Sequence, residues 1–160
     1  MVDYATEVRL AVQSDEEDIM VLCRLLHKEN GLWTLNEQKV RHMLRRAWRK
    51  EFAIVGIVGK PGALEGMILL VLDQPWYSDD WMLEEMLNYV HPEHRKSGHA
   101  KRLVEFAKKT SEGLGIPLMI GIISNERTEA KVKLYQRQLG SPAGAFFVYG
   151  ARTGDVGAEH

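Results

Sequence analysis

Cysteine is nearly absent from this chain, and neither sign of charge dominates. The single cysteine, Cys23, can form no internal disulfide and can supply no cysteine-rich metal site. We therefore expect a reducing, cytoplasmic location. Lys and Arg total 21 against 22 Asp and Glu, so the overall charge indicates neither a nucleic-acid partner nor a membrane partner.

Long hydrophobic runs are also missing. The longest, Met67–Leu72, is far shorter than the roughly 20 residues that cross a bilayer, and residues 1–7 lack the basic-then-apolar order of a secretion signal. With 160 residues, 45% apolar and 27% charged, the composition is that of a globular protein. We expect a single domain over residues 1–160, with its core at about 8–150 and a flexible tail at 151–160.

Hydrophobic periodicity predicts four helices and six strands. The helices are predicted over residues 16–28, 36–50, 100–114 and 128–139, and the strands over 8–12, 52–58, 66–72, 82–90, 117–123 and 145–149. Ser14 followed by Glu17 forms a capping-box pattern at the start of the first helix. Hairpins in the first half predict antiparallel pairs, and strand–helix alternation in the second half predicts a parallel crossover. The predicted fold class is therefore α/β, with a mixed sheet that carries helices on both faces.

One strand–loop–helix junction, residues 88–100, carries most of the chemical information. Its loop contains Arg95, Lys96 and Gly98 and leads directly into a helix at Ala100. Small residues at Gly98 and Ala100 let a ligand approach the backbone, and the N–H groups at a helix start attract anions. The junction therefore predicts a pyrophosphate-binding cradle. It is neither a Walker loop nor a Rossmann fingerprint, because the glycine spacing of those motifs is missing.

Two motifs of the second half resemble those of a known family. The first resembles the acyl-CoA-binding motif of the GNAT superfamily of N-acyltransferases, Arg/Gln-x-x-Gly-x-Gly/Ala, and reads Val90-x-Pro92-Glu93-x-Arg95-x-x-Gly98-x-Ala100-x-x-Leu103. The second is similar to the family's Asn…Ala…Leu-Tyr motif and reads Asn125, Ala130, Leu134 and Tyr135, ending at Gly140. Gly140 is followed by Ser-Pro-Ala instead of the family's usual Phe, so the last two strands could be joined differently.

The resemblance implies both a fold and an activity. The fold would be a mixed, mostly antiparallel sheet of about six to seven strands with about four helices on both faces. The activity would be transfer of an acetyl group from acetyl-CoA, the cosubstrate, to a primary amine by direct attack in a ternary complex, without a metal. By match to the motifs, the cofactor-binding residues are Tyr89, Val90, Arg95, Lys96, Ser97, Gly98, His99, Ala100 and Asn125.

The resemblance divides the binding of CoA among these residues. Backbone N–H groups of residues 95–100 would bind the pyrophosphate, and the backbone of Tyr89 and Val90 would contact pantetheine. Asn125 would contact the pantetheine arm, whereas its alternative role is that of a helix cap.

Tyr135, Glu84 and Glu85 are the catalytic candidates. In the family, a Tyr at the position of Tyr135 protonates the departing thiolate, and a phenol suits that role; the alternative is a core aromatic. An amine acceptor must lose a proton before attack, and a carboxylate in a central strand is costly to bury without a role. Alternation places Glu84 and Glu85 on opposite faces, with Glu85 on the face of Tyr89. The sequence leaves open which face is inward, and a solvated pair at a hairpin edge is the alternative.

Cys23 and a group of three histidines could suggest a covalent acyl-enzyme and a metal site, but we predict neither. Cys23 lies in the middle of a predicted helix, on its apolar face, with no nearby group to activate the thiol, so direct transfer is preferred to a covalent acyl-enzyme. His91, His94 and His99 are close in sequence but lack an adjacent carboxylate pattern, so no metal site is predicted.

The acceptor and the partners remain open at this level. The basic helix at residues 41–50 is interpreted as a solvated face, with an RNA or acidic-acceptor contact as the alternative. Trp33 and the loop at residues 73–81 are candidates for acceptor contacts, as well as for packing. Dimers are common in the family, so a homodimer that uses residues 146–149 is a candidate. A non-catalytic acyl-CoA-binding module and an RNA-directed acetyltransferase are the alternative functions.

Overall fold

The computed structural model describes residues 1–123 and 128–150. Its strands are β1 (Arg9–Leu10), β2 (Ala53–Lys60), β3 (Ala63–Asp73), β4 (Met82–Val90) and β5 (Leu118–Met119). Its α-helices are α1 (Glu16–Asn30), α2 (Glu37–Trp48), α3 (His99–Leu114) and α4 (Thr128–Leu139), and short 3-10 turns precede α1 and α3. The predicted flexible tail at 151–160 lies outside the described residues.

One mixed sheet forms the centre of the molecule. Its strand order is β1-β2-β3-β4-β5, and neighbouring strands are antiparallel except for the parallel pair of β4 and β5. β2 and β3 form the predicted hairpin, in which Gly62 adopts a left-handed conformation with φ of +84° that costs glycine little. The mixed α/β architecture with four helices is therefore confirmed.

Helices cover both faces of this sheet, as predicted. On one face, Ile19, Met20 and Leu22 of α1 and Leu44 of α2 pack in one core cluster with β2 and β3. On the other face, α3 packs against β3 and β4, and its Leu103 and Ala107 are fully buried there. Because the two clusters sandwich β3, this strand reads as the nearly continuous apolar run Met67–Leu72.

The start of α1 differs from the predicted capping box. The helix begins at Glu16 after a 3-10 turn, with no side-chain cap found at this end of the helix. Asp15 makes the polar contact at this end instead of Ser14: its carboxylate accepts a 2.9 Å hydrogen bond from the backbone N–H of Val12. α2 does begin as expected, with the Asn36 side chain accepting from the N–H of Lys39.

The expected number of strands was too high. The described residues form five strands, and the strand predicted over 145–149 is not formed. Phe146, Phe147 and Tyr149 are almost fully exposed there. A strand requires a hydrogen-bonded neighbour, and β5, predicted over 117–123, shortens to two residues because the chain turns away from β4 after Met119. No helix in residues 1–123 or 128–150 is both long enough and apolar enough to cross a membrane.

Candidate active site

The parallel strands β4 and β5, at one edge of the described sheet, separate after a short stretch of pairing. Within the described chain they pair at Leu83–Leu118 and Glu84–Met119. From there β4 continues to Val90 without pairing with β5. The backbone of Gly121, just past β5, hydrogen-bonds the carboxylate of Glu85 at the point of separation. This separation leaves an open fork between residues 85–90 and the chain that follows β5.

A β-bulge in β4 decides where Glu85 lies. Leu69 of β3 pairs with Leu87, but the next residue, Leu70, pairs with Glu85, so Met86 is an inserted residue. Residues directly opposite on antiparallel strands share a face, which places Glu85 with Leu70 on the α3 face. Tyr89 lies on the other face, in the core beneath α1. The expectation that Glu85 and Tyr89 share a face was therefore wrong, because simple alternation does not continue through a bulge.

The environment of Glu85 makes it a stronger base than an ordinary carboxylate. Burial at the fork raises the pKa of Glu85 to about 7, against the opposing effects of the Gly121 N–H and the positive charge of Lys131. A carboxylate with this pKa is mostly ionised slightly above neutral pH and can accept a proton there.

Tyr135 of α4 faces the same fork. Its hydroxyl oxygen accepts a 2.9 Å hydrogen bond from the side-chain amide of Asn88 on β4. Burial and the negative charge of Glu85 raise the pKa of Tyr135 well above its ordinary value, whereas the hydrogen bond from Asn88 lowers it. The hydroxyl therefore keeps its proton at neutral pH, and its O–H remains available as a donor because Asn88 uses the oxygen.

The predicted cradle lies at the beginning of α3. Gly98 is the N-cap residue, with φ of +87°, and has no side chain that could cap this end. The Ser97 hydroxyl accepts a 3.3 Å hydrogen bond from the N–H of His99. The first N–H groups of a helix have no partner within the helix, so the first turn of α3 presents backbone donors. Arg102 supports the loop from behind, because its guanidinium donates a 2.8 Å hydrogen bond to the carbonyl of Ser97.

Arg95 joins this loop to α1. Its guanidinium lies 2.6 Å from the carboxylate of Glu29, which also accepts a 2.9 Å hydrogen bond from the Tyr89 hydroxyl. The same guanidinium donates to the carbonyl of Val90 at 3.3 Å. The hydrogen bond from Arg95 keeps the pKa of Glu29 below its ordinary value, with a smaller contribution from Tyr89. The side chain of Arg95 therefore holds the end of β4 and the loop against α1.

His99 points into the protein, away from the cradle. It is 1% exposed, and its Nε2 lies 2.9 Å from the carboxylate of Glu65 on β3. Arg102 donates to Nδ1 of the same ring at 3.1 Å, which assigns the ring proton to Nε2. His94 also lies 3.0 Å from the Glu65 carboxylate. These contacts fix the loop to the sheet, and of His99 only the backbone faces the cradle.

Three side chains that could ligate a metal meet beside this loop. His91, Glu93 and His94 each place one ligand atom within 4.8 Å of the others, a proximity that their spacing did not predict. Nδ1 of His91 already accepts from the backbone N–H of Glu93 at 3.1 Å, and Nδ1 of His94 faces Glu65. Protein contacts therefore account for one nitrogen of each ring, and the absence of a metal stays a prediction.

Two cavities meet at the fork. The first, of about 350 Å³, lies between α1, β4 and the segment 121–123 and contains Glu85. The second, of about 320 Å³, runs from the fork to the start of α3. Both are lined by Asn88, Lys131 and Tyr135. Because these three residues are shared, a group in one cavity can reach a group in the other beside the Tyr135 hydroxyl.

The structure brings together some of the predicted site residues and separates others. The second cavity is lined by six of them, namely Tyr89, Val90, Arg95, Gly98, Ala100 and Tyr135, and Glu85 lines the first. Glu84 lines neither, because it is paired with Val71 of β3 and Met119 of β5 before the two parallel strands separate. Lys96, Ser97 and His99 belong to the loop without lining either cavity. Asn125 lies outside the described residues.

Three residues of the site were not predicted from the sequence. Asn88 carried a signal, because it directly precedes the predicted Tyr89 and Val90 on a strand that ends at the cradle. Glu29 lies 66 positions from its partner Arg95, and no local pattern connects such distant residues. Lys131 is one of two lysines in residues 128–139, and only the docking of α4 distinguishes it.

Comparisons with known proteins agree with this geometry. The Acetyltransferase (GNAT) family model matches residues 21–140, whereas no curated protein sequence matches. One similar solved structure is "AAC(6')-Iy in complex with bisubstrate analog CoA-S-monomethyl-acetylneamine". Its TM-score is 0.69, its sequence identity is 16%, and the match covers 91% of this chain and 97% of that chain. Another is a ribosomal-protein-alanine N-acetyltransferase from Brucella melitensis biovar Abortus 2308, with a TM-score of 0.66, 17% identity and coverage of 90% and 99%.

A third similar structure is an aminoglycoside acetyltransferase, meta-AAC0020, from an uncultured soil metagenomic sample. Its TM-score is 0.66, with 12% identity and coverage of 94% and 96%. At such low identities these likenesses concern the fold, while the family match spans 21–140 of the 160 residues. The chain therefore belongs to the GNAT acetyltransferase family.

Proposed function

We propose that this protein transfers an acetyl group from acetyl-CoA to a primary amine by direct attack in a ternary complex. The observation that carries the proposal is the meeting of two cavities at Tyr135, one lined by Glu85 and the other reaching the start of α3. A base and an acid on opposite sides of one fork are the two groups that aminolysis of a thioester needs.

The second cavity is the donor site in this proposal. Backbone N–H groups of residues 95–100 bind the pyrophosphate of acetyl-CoA, aided by the positive end of the α3 dipole. Gly98 suits this role because it has no Cβ and adopts φ of +87°, so the phosphate can approach the main chain. Backbone groups of Tyr89 and Val90 contact pantetheine, which leads the thioester to the fork. We extend the same proposal to Asn125 as a contact of the pantetheine arm.

The first cavity is the acceptor site, and Glu85 is its base. The carboxylate takes a proton from the bound ammonium, directly or through water, and the freed amine attacks the thioester carbonyl carbon. The C–N bond forms and the C–S bond breaks, so that the electron pair of the C–S bond goes to sulfur. Tyr135 gives its hydroxyl proton to that sulfur, and the hydrogen bond from Asn88 stabilises the oxygen that loses it. Collapse of the tetrahedral adduct releases the second proton of the attacking nitrogen, which restores the Tyr135 hydroxyl. The products are the N-acetyl amine, CoA with a free thiol and the one proton that Glu85 has taken.

The surroundings of Cys23 favour direct attack over a covalent acyl-enzyme. This side chain is 4% exposed in the core between α1 and the sheet, and burial raises the pKa of its thiol to about 11. It lines neither cavity of the fork. A thiol that is protonated and out of reach of the donor is a poor nucleophile.

The basic helix gives little support to an RNA-directed function. Arg41 binds the carboxylates of Glu16 and Glu17 at 2.9 and 2.6 Å, and Arg45 lies 3.6 Å from Glu16. Charges that are neutralised within the fold contribute less to phosphate binding. We therefore retain the interpretation of a solvated face, together with a cytoplasmic location and a candidate homodimer as predictions.

Coenzyme A binding and acetyl transfer test the proposal separately. We expect CoA to raise the melting temperature, and an amine panel with colorimetric detection of the free thiol to reveal turnover. Tyr135→Phe should retain acetyl-CoA binding while it lowers kcat by about 10²-fold. Tyr77→Phe, at a 76% exposed tyrosine, is the matched control and should leave both unchanged. Binding without any turnover would instead support a non-catalytic acyl-CoA-binding module, and equal rates for wild type and Tyr135→Phe would remove Tyr135 from the mechanism.

A further inference from the structure

The rim of the acceptor cavity is unusually apolar for an exposed surface. Trp33, Met86 and Ile123 line it and are 56%, 48% and 57% exposed. Leu26, Leu87 and Ile122 continue the same lining inward. Large apolar side chains that gather around one concave site are typical of a surface that a ligand covers.

The charges of this cavity nearly cancel. Among its described lining residues, Glu85 is the one carboxylate and Lys131 the one ammonium. The other polar side chains are the neutral amides of Asn30 and Asn88 and the hydroxyl of Tyr135. A single ammonium can pair with Glu85, but among the described lining residues a second cationic group of the same molecule would meet no second carboxylate and would approach Lys131. Moving such a charge out of water without a partner is unfavourable.

We infer that the acceptor is a small primary amine carried on an apolar aryl or alkyl group, with no second cationic centre. This inference rests on the proposed function, because it assigns a substrate class to the same site. The ammonium pairs with Glu85 at the fork, and the apolar group covers the rim formed by Trp33, Met86 and Ile123. The cavity volume of about 350 Å³ is within the range of small-molecule sites.

Matched pairs of amines test the charge and the apolar contact separately. n-Butylamine and 1,4-diaminobutane have the same carbon chain and differ by one ammonium, so we expect at least about tenfold higher kcat/KM for n-butylamine. n-Hexylamine adds two CH₂ groups, and because each buried CH₂ group is worth roughly a fourfold gain, we expect an increase of about tenfold or more over n-butylamine. Spermidine, an aminoglycoside and a short peptide with a free N-terminus complete the panel.

A negative charge placed on the rim should remove the preference for n-butylamine over 1,4-diaminobutane. Met86→Glu adds a second carboxylate to that of Glu85, the one carboxylate among the described lining residues, so 1,4-diaminobutane should gain on n-butylamine by about tenfold while the KM for acetyl-CoA stays constant. Met119→Glu is the matched control: Met119 is also 48% exposed but does not line the cavity, so the preference should not change.

The possible outcomes distinguish the inference from the proposed function. If 1,4-diaminobutane, spermidine or the aminoglycoside is acetylated better than n-hexylamine, the inference is overturned while acetyl transfer stands. The peptide being the best substrate, or equal rates along the alkyl series, would overturn it as well. If acetyl-CoA binds but no amine is acetylated, the proposed function is contradicted, and so is the inference that rests on it.

Discussion

Replacement of Glu85 by Gln provides the sharpest test of the chemistry at the fork. Gln has nearly the same size and can still accept the hydrogen bond from the Gly121 N–H, but it cannot take a proton. Because the pKa of Glu85 is raised to about 7, its titration falls in an accessible range. A primary alkylamine with a pKa near 10 remains an ammonium throughout this range. The pH profile of the rate therefore reports the ionisation of the enzyme and not that of the amine.

The expected magnitude follows from this pKa. At pH 5, two units below it, roughly 1% of the Glu85 carboxyl groups are ionised. The kcat/KM of the wild type should therefore rise about a hundredfold between pH 5 and pH 8, with a midpoint near 7. Glu85→Gln should lower kcat/KM by about 10²- to 10⁴-fold at pH 8 and should abolish this limb.

The same substitution should increase stability at high pH. A carboxyl group whose folded pKa is raised binds more protons in the folded state than in the unfolded state. Its contribution to stability is complete below the unfolded pKa near 4.5 and is lost as the pH rises through 7. Glu85→Gln should therefore be more stable than wild type at pH 8, by at most roughly 3 kcal/mol, and no more stable at pH 4. Calorimetric melting at both pH values measures this difference.

Two observations would refute this account of Glu85. One is a limb that moves with the pKa of the amine when a less basic amine is used, since the limb would then belong to the substrate. The other is a full limb in Glu85→Gln together with its loss in Glu84→Gln, because Glu84 lies on the opposite face of the sheet. Those two results together would identify Glu84, and not Glu85, as the base.

Two further predictions concern the donor site. Glu29→Gln removes the negative charge that Arg95 contacts at 2.6 Å, so we expect a several-fold higher KM for acetyl-CoA and a loss of about 1–2 kcal/mol in the free energy of unfolding. Glu37→Gln, which removes the negative charge of an exposed pair with Arg24, should change stability by less than about 1 kcal/mol and leave KM unchanged. Gly98→Ala and Gly62→Ala both place a Cβ at positive φ and should each cost about 1–2 kcal/mol, but only Gly98→Ala should raise the KM for acetyl-CoA. Equal KM values in either pair, measured by initial rates, would contradict the placement of the donor site.

Local patterns were sufficient for much of the fold. The four helices lie where periodicity placed them, since an amphipathic helix depends on residues three and four apart. The helix start at Gly98, where we propose that pyrophosphate binds, was also predicted, because Gly98 and Ala100 lie at the beginning of α3 itself. The prediction of the last strand was wrong for the opposite reason. Residues 145–149 have the composition of a strand, but strand pairing depends on a neighbour that is distant in the chain.

The sequence by itself determined the mixed α/β class, the helix start at Gly98 and the candidacy of Tyr135 and Glu85, because each follows from residues near one another in the chain. Only the tertiary structure decided that Glu85, and not Glu84, faces the fork, since the bulge at Met86 depends on the register against β3. It also decided that Glu29 holds Arg95 and that Asn88 binds Tyr135. Those contacts join residues 66 and 47 positions apart, and only the packing of helices on the two faces of the sheet brings such residues within hydrogen-bonding distance.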